Sequence, residues 1–269
     1  MDSLMGSSVA GPSRAAMPHT PTMALRWLTR RFYGPGMDDG SLFRSGGYFL
    51  TRPVTRDDAF MSTDLLPPTL VSLSNCLGKS AFEYWWNEEH AAEALEFGVP
   101  EDRLSDLVAW YRRRFERDLG APNVAFAPVL IHDFLGQFVE DATDLVILGC
   151  GLSAEHRTLL LEQAGAPAGF GEYGVFEMLE RNVPLEPGGR VLGYEPVSYE
   201  YGLEHSWICN ALETEAQARI GVTPDRDTGL LASYREGVSV ADLINSDDVG
   251  SEPGIWLPWL IVRYPTTSS

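Results

Sequence analysis

A chain of 269 residues, 44% apolar and with seven Trp, is long enough to bury a substantial core. Its formal charge of −18 falls on residues 61–269, which hold 13 basic against 33 acidic groups; such a body repels phosphate backbones and anionic lipid and concentrates cationic partners. No window reaches 18 consecutive apolar residues, and no basic start with an apolar h-region opens the chain, so the sequence reads as neither membrane-spanning nor secreted, with the cytoplasm as its expected home.

Residues 1–23, rich in Gly, Ser, Ala, Pro and Met, show no apolar period and are expected to be disordered. Residues 24–33 are basic and aromatic and stop at Gly34-Pro35-Gly36; beside so acidic a body, their arginines are read as partners for carboxylates and not as a nucleic-acid arm. Alternating apolar and hydroxyl side chains predict a half-buried strand over 69–74. Helices are predicted over 80–97 and 101–119, either side of Gly98-Val99-Pro100, with Leu104, Leu107, Val108, Tyr111 and Phe115 on one stripe. Pro128 opens another helix through Phe138, with Val129, Leu130, Phe134, Leu135 and Phe138 expected inward. A compact strand over 145–148 leads to Ser153, which caps a helix reaching Gly165.

The second half reads as richer in strands. A short helix over 172–181 closes at Asn182 and Pro184, and a Glu186-Pro187-Gly188-Gly189 turn enters a strand over 190–194. Helices are predicted over 204–220 and 238–244. A late strand over 255–262 is assigned to an edge or bulge because Pro258 lacks an N–H for the ladder. The sum is an α+β fold, a mixed sheet packed with several helices, forming one acidic domain over 24–269 with a helical subregion over 79–140.

Three segments carry candidate chemistry. Residues 70–80 end in Gly78-Lys79-Ser80, the close of a phosphate-binding loop and home of the chain's one lysine, but the motif's leading glycine position holds Leu73, which crowds the turn that phosphate needs. In the second, Asp144 to Ser153, a strand runs into Gly149-Cys150-Gly151. It resembles the first glycine-rich segment of methyltransferases that use S-adenosylmethionine, over these ten residues alone and with Ile147 at the usual acidic position. The resemblance implies Gly149, Gly151 and Ser153 beside the cofactor, with Glu195 as the acid that grips its ribose.

The third segment, 194–210, has the densest polar and aromatic chemistry. His205 and Cys209, four apart on the predicted helix, form a candidate base and nucleophile, with Glu204 beside them; the same spacing offers metal ligands, with Glu204 or Glu200 as a third. Cys76, Cys150 and Cys209 show no CxxC or Cys/His ligand spacing, so neither a disulfide framework nor a structural zinc is expected, and the thiols are read as reduced and mostly buried. His132-Asp133, His90 with Glu93, and Arg112-Arg113-Arg114 are read as ordinary helix surface.

Two classes of function follow. In the favoured one the chain works by binding, without catalysis, metal or cofactor: an acidic face bearing Tyr199, Glu200, Tyr201, Glu204 and Trp207 docks a basic protein partner. Acidic bacterial immunity proteins that mask basic toxins are similar in composition, and the Arg-rich, almost Lys-free usage points to a bacterial source. The alternative is a small-molecule enzyme of the S-adenosylmethionine-dependent kind, with the Gly-Cys-Gly turn at the cofactor.

Overall fold

The computed structural model describes residues 42–56, 64–74, 76–78, 81, 91–115, 124–164, 174–199, 203–246, 249, 251 and 254–267. The segments 1–23 and 24–33, most of the predicted 80–97 helix, and Lys79-Ser80 lie outside them. The fold is α+β. Five strands, β1 (Phe43–Thr51), β4 (Val146–Ser153), β5 (Arg190–Tyr199), β6 (Leu203–Ser206) and β7 (Ile255–Tyr264), form a sheet of order β1-β4-β7-β5-β6. Every neighbouring pair is antiparallel, where a mixed sheet was expected. A separate ribbon pairs β2 (Val54–Thr55) with β3 (Thr69–Leu70).

Six α-helices are described: α1 (Leu104–Phe115), α2 (Pro128–Phe138), α3 (Ala154–Ala164), α4 (Val175–Arg181), α5 (Glu213–Ile220) and α6 (Tyr234–Ile244). Helix α6 lies against β5 and β7, α4 against β1, and α3 against β4. Local chemistry explains the helix ends. Ser153 Oγ accepts the His156 N–H at 3.2 Å at the start of α3, and Asn182 closes α4 in the left-handed region at φ 55°. Ser233 and Glu236 form a reciprocal capping box on α6, extending it one turn ahead of the predicted start. In α2, Ile131, Phe134, Leu135 and Phe138 are buried, but Val129 is 64% exposed. Its side chain lies off the i, i+3, i+4, i+7 stripe set by those four, so the inward placement is corrected.

Three further expectations change for tertiary reasons. Strand β7, assigned to an edge or a bulge, is the central strand, and its pairing with β5 runs through Pro258 without a register shift there. Its pairing with β4 stops at Leu260, so Pro258 loses no bond on that side, and on the other it faces Pro196, which also has no N–H. The helix expected over 204–220 starts only at Glu213, because β6 pairs with β5 and a tight turn follows, held by Trp207 N–H to Pro196 O at 2.9 Å and Leu212 N–H to Trp207 O at 3.0 Å. The strand expected over 69–74 ends at Leu70, and 71–74 instead wrap over β5. Among the described residues no helix is long and apolar enough to cross a membrane.

Candidate metal centre

The site is organised by one buried carboxylate. Glu195, on β5, has no exposed surface, yet it accepts Ser72 Oγ–H at 2.5 Å on Oε1 and Leu73 N–H at 2.9 Å on Oε2. Burial pushes its pKa above the usual carboxylate value, while hydrogen bonds from Ser72, Ser206 and Leu73 oppose that rise. The bonds run on through the loop: Ser72 Oγ accepts the Ser74 N–H at 3.0 Å, and Ser74 Oγ accepts the Cys76 N–H at 3.2 Å. Ser72, Leu73, Ser74 and Cys76 are thereby pinned to the sheet, and Cys76 is delivered to the end of β6.

There it meets two residues that the sequence had already singled out. Cys76 Sγ lies 3.2 Å from His205 Nδ1, and Cys209 Sγ lies 4.0 Å from the same nitrogen. All three ligand atoms lie within 4.8 Å of one another. A metal with tetrahedral sulfur and nitrogen ligands holds them about 3.5–3.8 Å apart, so small side-chain movements close this set on one cation. His205 ends β6 and Cys209 sits in the turn after it, not on one helix as expected; the turn keeps them adjacent because Ser206 N–H donates to Cys209 Sγ at 3.2 Å.

Electrostatics separate the two thiols. Cys209 is partly buried, and burial pushes its thiol up to about 11; Cys76 adds to the rise, against hydrogen bonds from Ser206, Ser74 and Asn210. Cys209 is therefore a protonated thiol at neutral pH, unsuited to act as a nucleophile by itself. Cys76 is exposed, so the centre faces solvent on that side. This corrects the reading of mostly buried thiols with no shared ligand set: only Cys150 is fully buried. Sequence spacing concealed the set because Cys76 and His205 are 129 residues apart. Glu200 lies outside the described residues, as does the side chain of Glu204, and Cys76 takes the third-ligand place considered for them.

The remaining candidates fall elsewhere. Gly149 and Gly151 are not in a strand-to-helix turn but in the middle of β4, which continues through Ser153. A Cβ on Gly149 would stand 2.8 Å from Tyr264 and 3.1 Å from Tyr48, and one on Gly151 3.0 Å from Leu185, so these glycines admit the protein's own core and no cofactor. The hydroxyl of Ser153 accepts from Tyr234 at 2.7 Å, beside a His156 that burial holds down to about 4. Glu195 grips its own chain in place of a ribose. Tyr199 and Trp207, expected on a docking face, are 3% and 0% exposed and belong to the core, while Tyr201 lies outside the described residues. In the phosphate-loop segment, the amides of Leu73, Ser74 and Cys76 are taken by Glu195, Ser72 and Ser74. His132 reaches Pro265 O at 2.9 Å, and Asp133 pairs with Arg114. Compared with known protein families, curated proteins and solved structures, the chain finds no match.

Proposed function

We propose that this chain binds a soft divalent metal, zinc by preference, through Cys76, His205 and Cys209, and that this open centre is its functional site. The observation that carries the reading is the convergence of two thiols and an imidazole nitrogen within 4.8 Å, one of the three exposed. Thiolate and imidazole select zinc over magnesium or calcium. Three protein ligands leave a fourth position for water or a substrate atom, the pattern of reactive zinc sites as opposed to closed structural ones. In that place the metal would supply Lewis acidity. The protein's part is to hold His205 on the end of β6, to orient Cys209 through Ser206 and Asn210, and to carry Cys76 in on a loop tied to Glu195.

The reduced chain, dialysed against zinc and analysed for metal content, is expected to retain one zinc per molecule. Cobalt(II) in its place should give a thiolate charge-transfer band. Cys76→Ser, at an exposed position, should abolish that band and weaken zinc about a hundredfold. Affinity should fall with acidity, about tenfold per pH unit for each thiol proton the metal displaces, because Cys209 is protonated throughout the neutral range. Absence of stoichiometric zinc, or a Cys76→Ser chain that binds equally well, defeats the reading.

A second reading, the masking of a basic protein partner, is favoured by a different observation, the charge of −18. Its contacts would come from exposed carboxylates and not from Trp207 or Tyr199. Capture from native lysate should then recover one recurrent basic protein at low salt and lose it steeply as salt rises. Salt-independent capture, or none, removes it.

A further inference from the structure

At Arg190 and Arg263 the sheet sets like charges face to face. The two residues are directly paired across β5 and β7, both exposed, and such cross-strand side chains stand about 5 Å apart, where like charges destabilise a sheet. Among the described residues no carboxylate comes within ion-pair distance of either guanidinium. In a chain with 38 acidic residues, two adjoining arginines that form no ion pair among the described residues are conspicuous. Both line a cleft of about 520 Å³, within the range of small-molecule sites.

The same cleft holds a third arginine. Arg52 gives its Nε–H to Glu96 O at 2.7 Å and keeps Nη1 3.9 Å from Asp144. With Asp144 and Asp227 also in the lining, the cleft carries three guanidiniums against two carboxylates, a positive site on a strongly negative protein. Leu70, Val71 and Leu192 are also in the lining and offer apolar surface to an organic group. None of the three proposed metal ligands takes part.

We propose that this cleft binds a small organic phosphate, its phosphoryl group bridging Arg190 and Arg263 and its organic part lying on Leu70, Val71 and Leu192. A phosphate monoester has three terminal oxygens, enough for both guanidinium forks, whereas a carboxylate has two. A nucleic-acid strand is disfavoured by the surrounding field, but a single compact dianion enters a local positive patch without facing the whole body. The bound anion also removes the repulsion between the paired arginines.

Phenyl phosphate is the probe, with benzoate, phenol and inorganic phosphate as comparators, titrated into the full chain and followed by calorimetry and by the thermal midpoint. Phenyl phosphate should bind saturably, more tightly than benzoate or inorganic phosphate, and raise the midpoint; phenol should not bind. Arg263→Gln should weaken it at least about tenfold while folding as well as the parent, since it relieves a like-charge pair. Arg263→Lys, which keeps the charge and loses the fork, should weaken it less than Arg263→Gln. Cys76→Ser should leave it unchanged, which separates failure of this site from failure of the metal centre. Equal binding by the parent and Arg263→Gln, no saturable binding, or tighter binding of benzoate than of phenyl phosphate overturns the proposal.

Discussion

Replacing Trp207 with alanine is expected to destabilise the protein by about 3–5 kcal/mol, a large part of the 5–15 kcal/mol typical of a folded domain. The indole has no exposed surface, and the residue's backbone ties the turn after β6 to Pro196 on one side and Leu212 on the other. Its Nε1–H has no acceptor among the described residues. Trp207→Phe, which deletes that unpaired donor together with part of the ring, should therefore cost less than half as much. Urea unfolding followed by far-ultraviolet circular dichroism measures both. A binding anchor would behave in the opposite way, leaving stability intact when truncated and weakening only a complex. A Trp207→Ala midpoint within error of the parent would return Trp207 to the surface and the acidic-face reading to favour.

Glu195→Ala should act twice. It strands the donors of Ser72, Leu73 and Ser206 in the interior, at a cost of about 2–4 kcal/mol. It also unties the loop that presents Cys76, so zinc affinity should drop about 10–100-fold although no ligand is altered. Glu195→Gln keeps the shape and one acceptor oxygen but turns an amide N–H₂ toward a donor, so its losses should be intermediate in both measurements. If the alanine variant folds and binds zinc as the parent does, Glu195 does not position the centre.

What the sequence displays well is local. Pro128 at the first turn of α2, Ser153 at the cap of α3 and Asn182 at the end of α4 all act where the chain reads them, because capping depends on groups three or four residues away. The α+β character follows from the same periods. His205 and Cys209 were legible as candidate chemistry since four residues separate them, and a tight turn keeps such residues together as well as a helix would.

The rest was settled by contacts that no window of sequence contains. Glu195 resembled a ligand-gripping acid, and only the fold shows that its partners are Ser72 and Leu73, more than 120 residues earlier. Gly149 and Gly151 resembled a cofactor turn until β1 and β7 were laid on either side of β4, where Phe43, Tyr48, Tyr264 and Leu185 crowd them. Pro258 pointed to an edge strand or a bulge because its missing N–H is a local fact, whereas the place where the β4 ladder stops is not. Composition alone determined that this protein is acidic and able to bury a large core. Which thiol meets which imidazole, and which arginines stand opposed, was decided by strand order and register, since chain entropy lets distant residues meet only when many packed contacts hold them there.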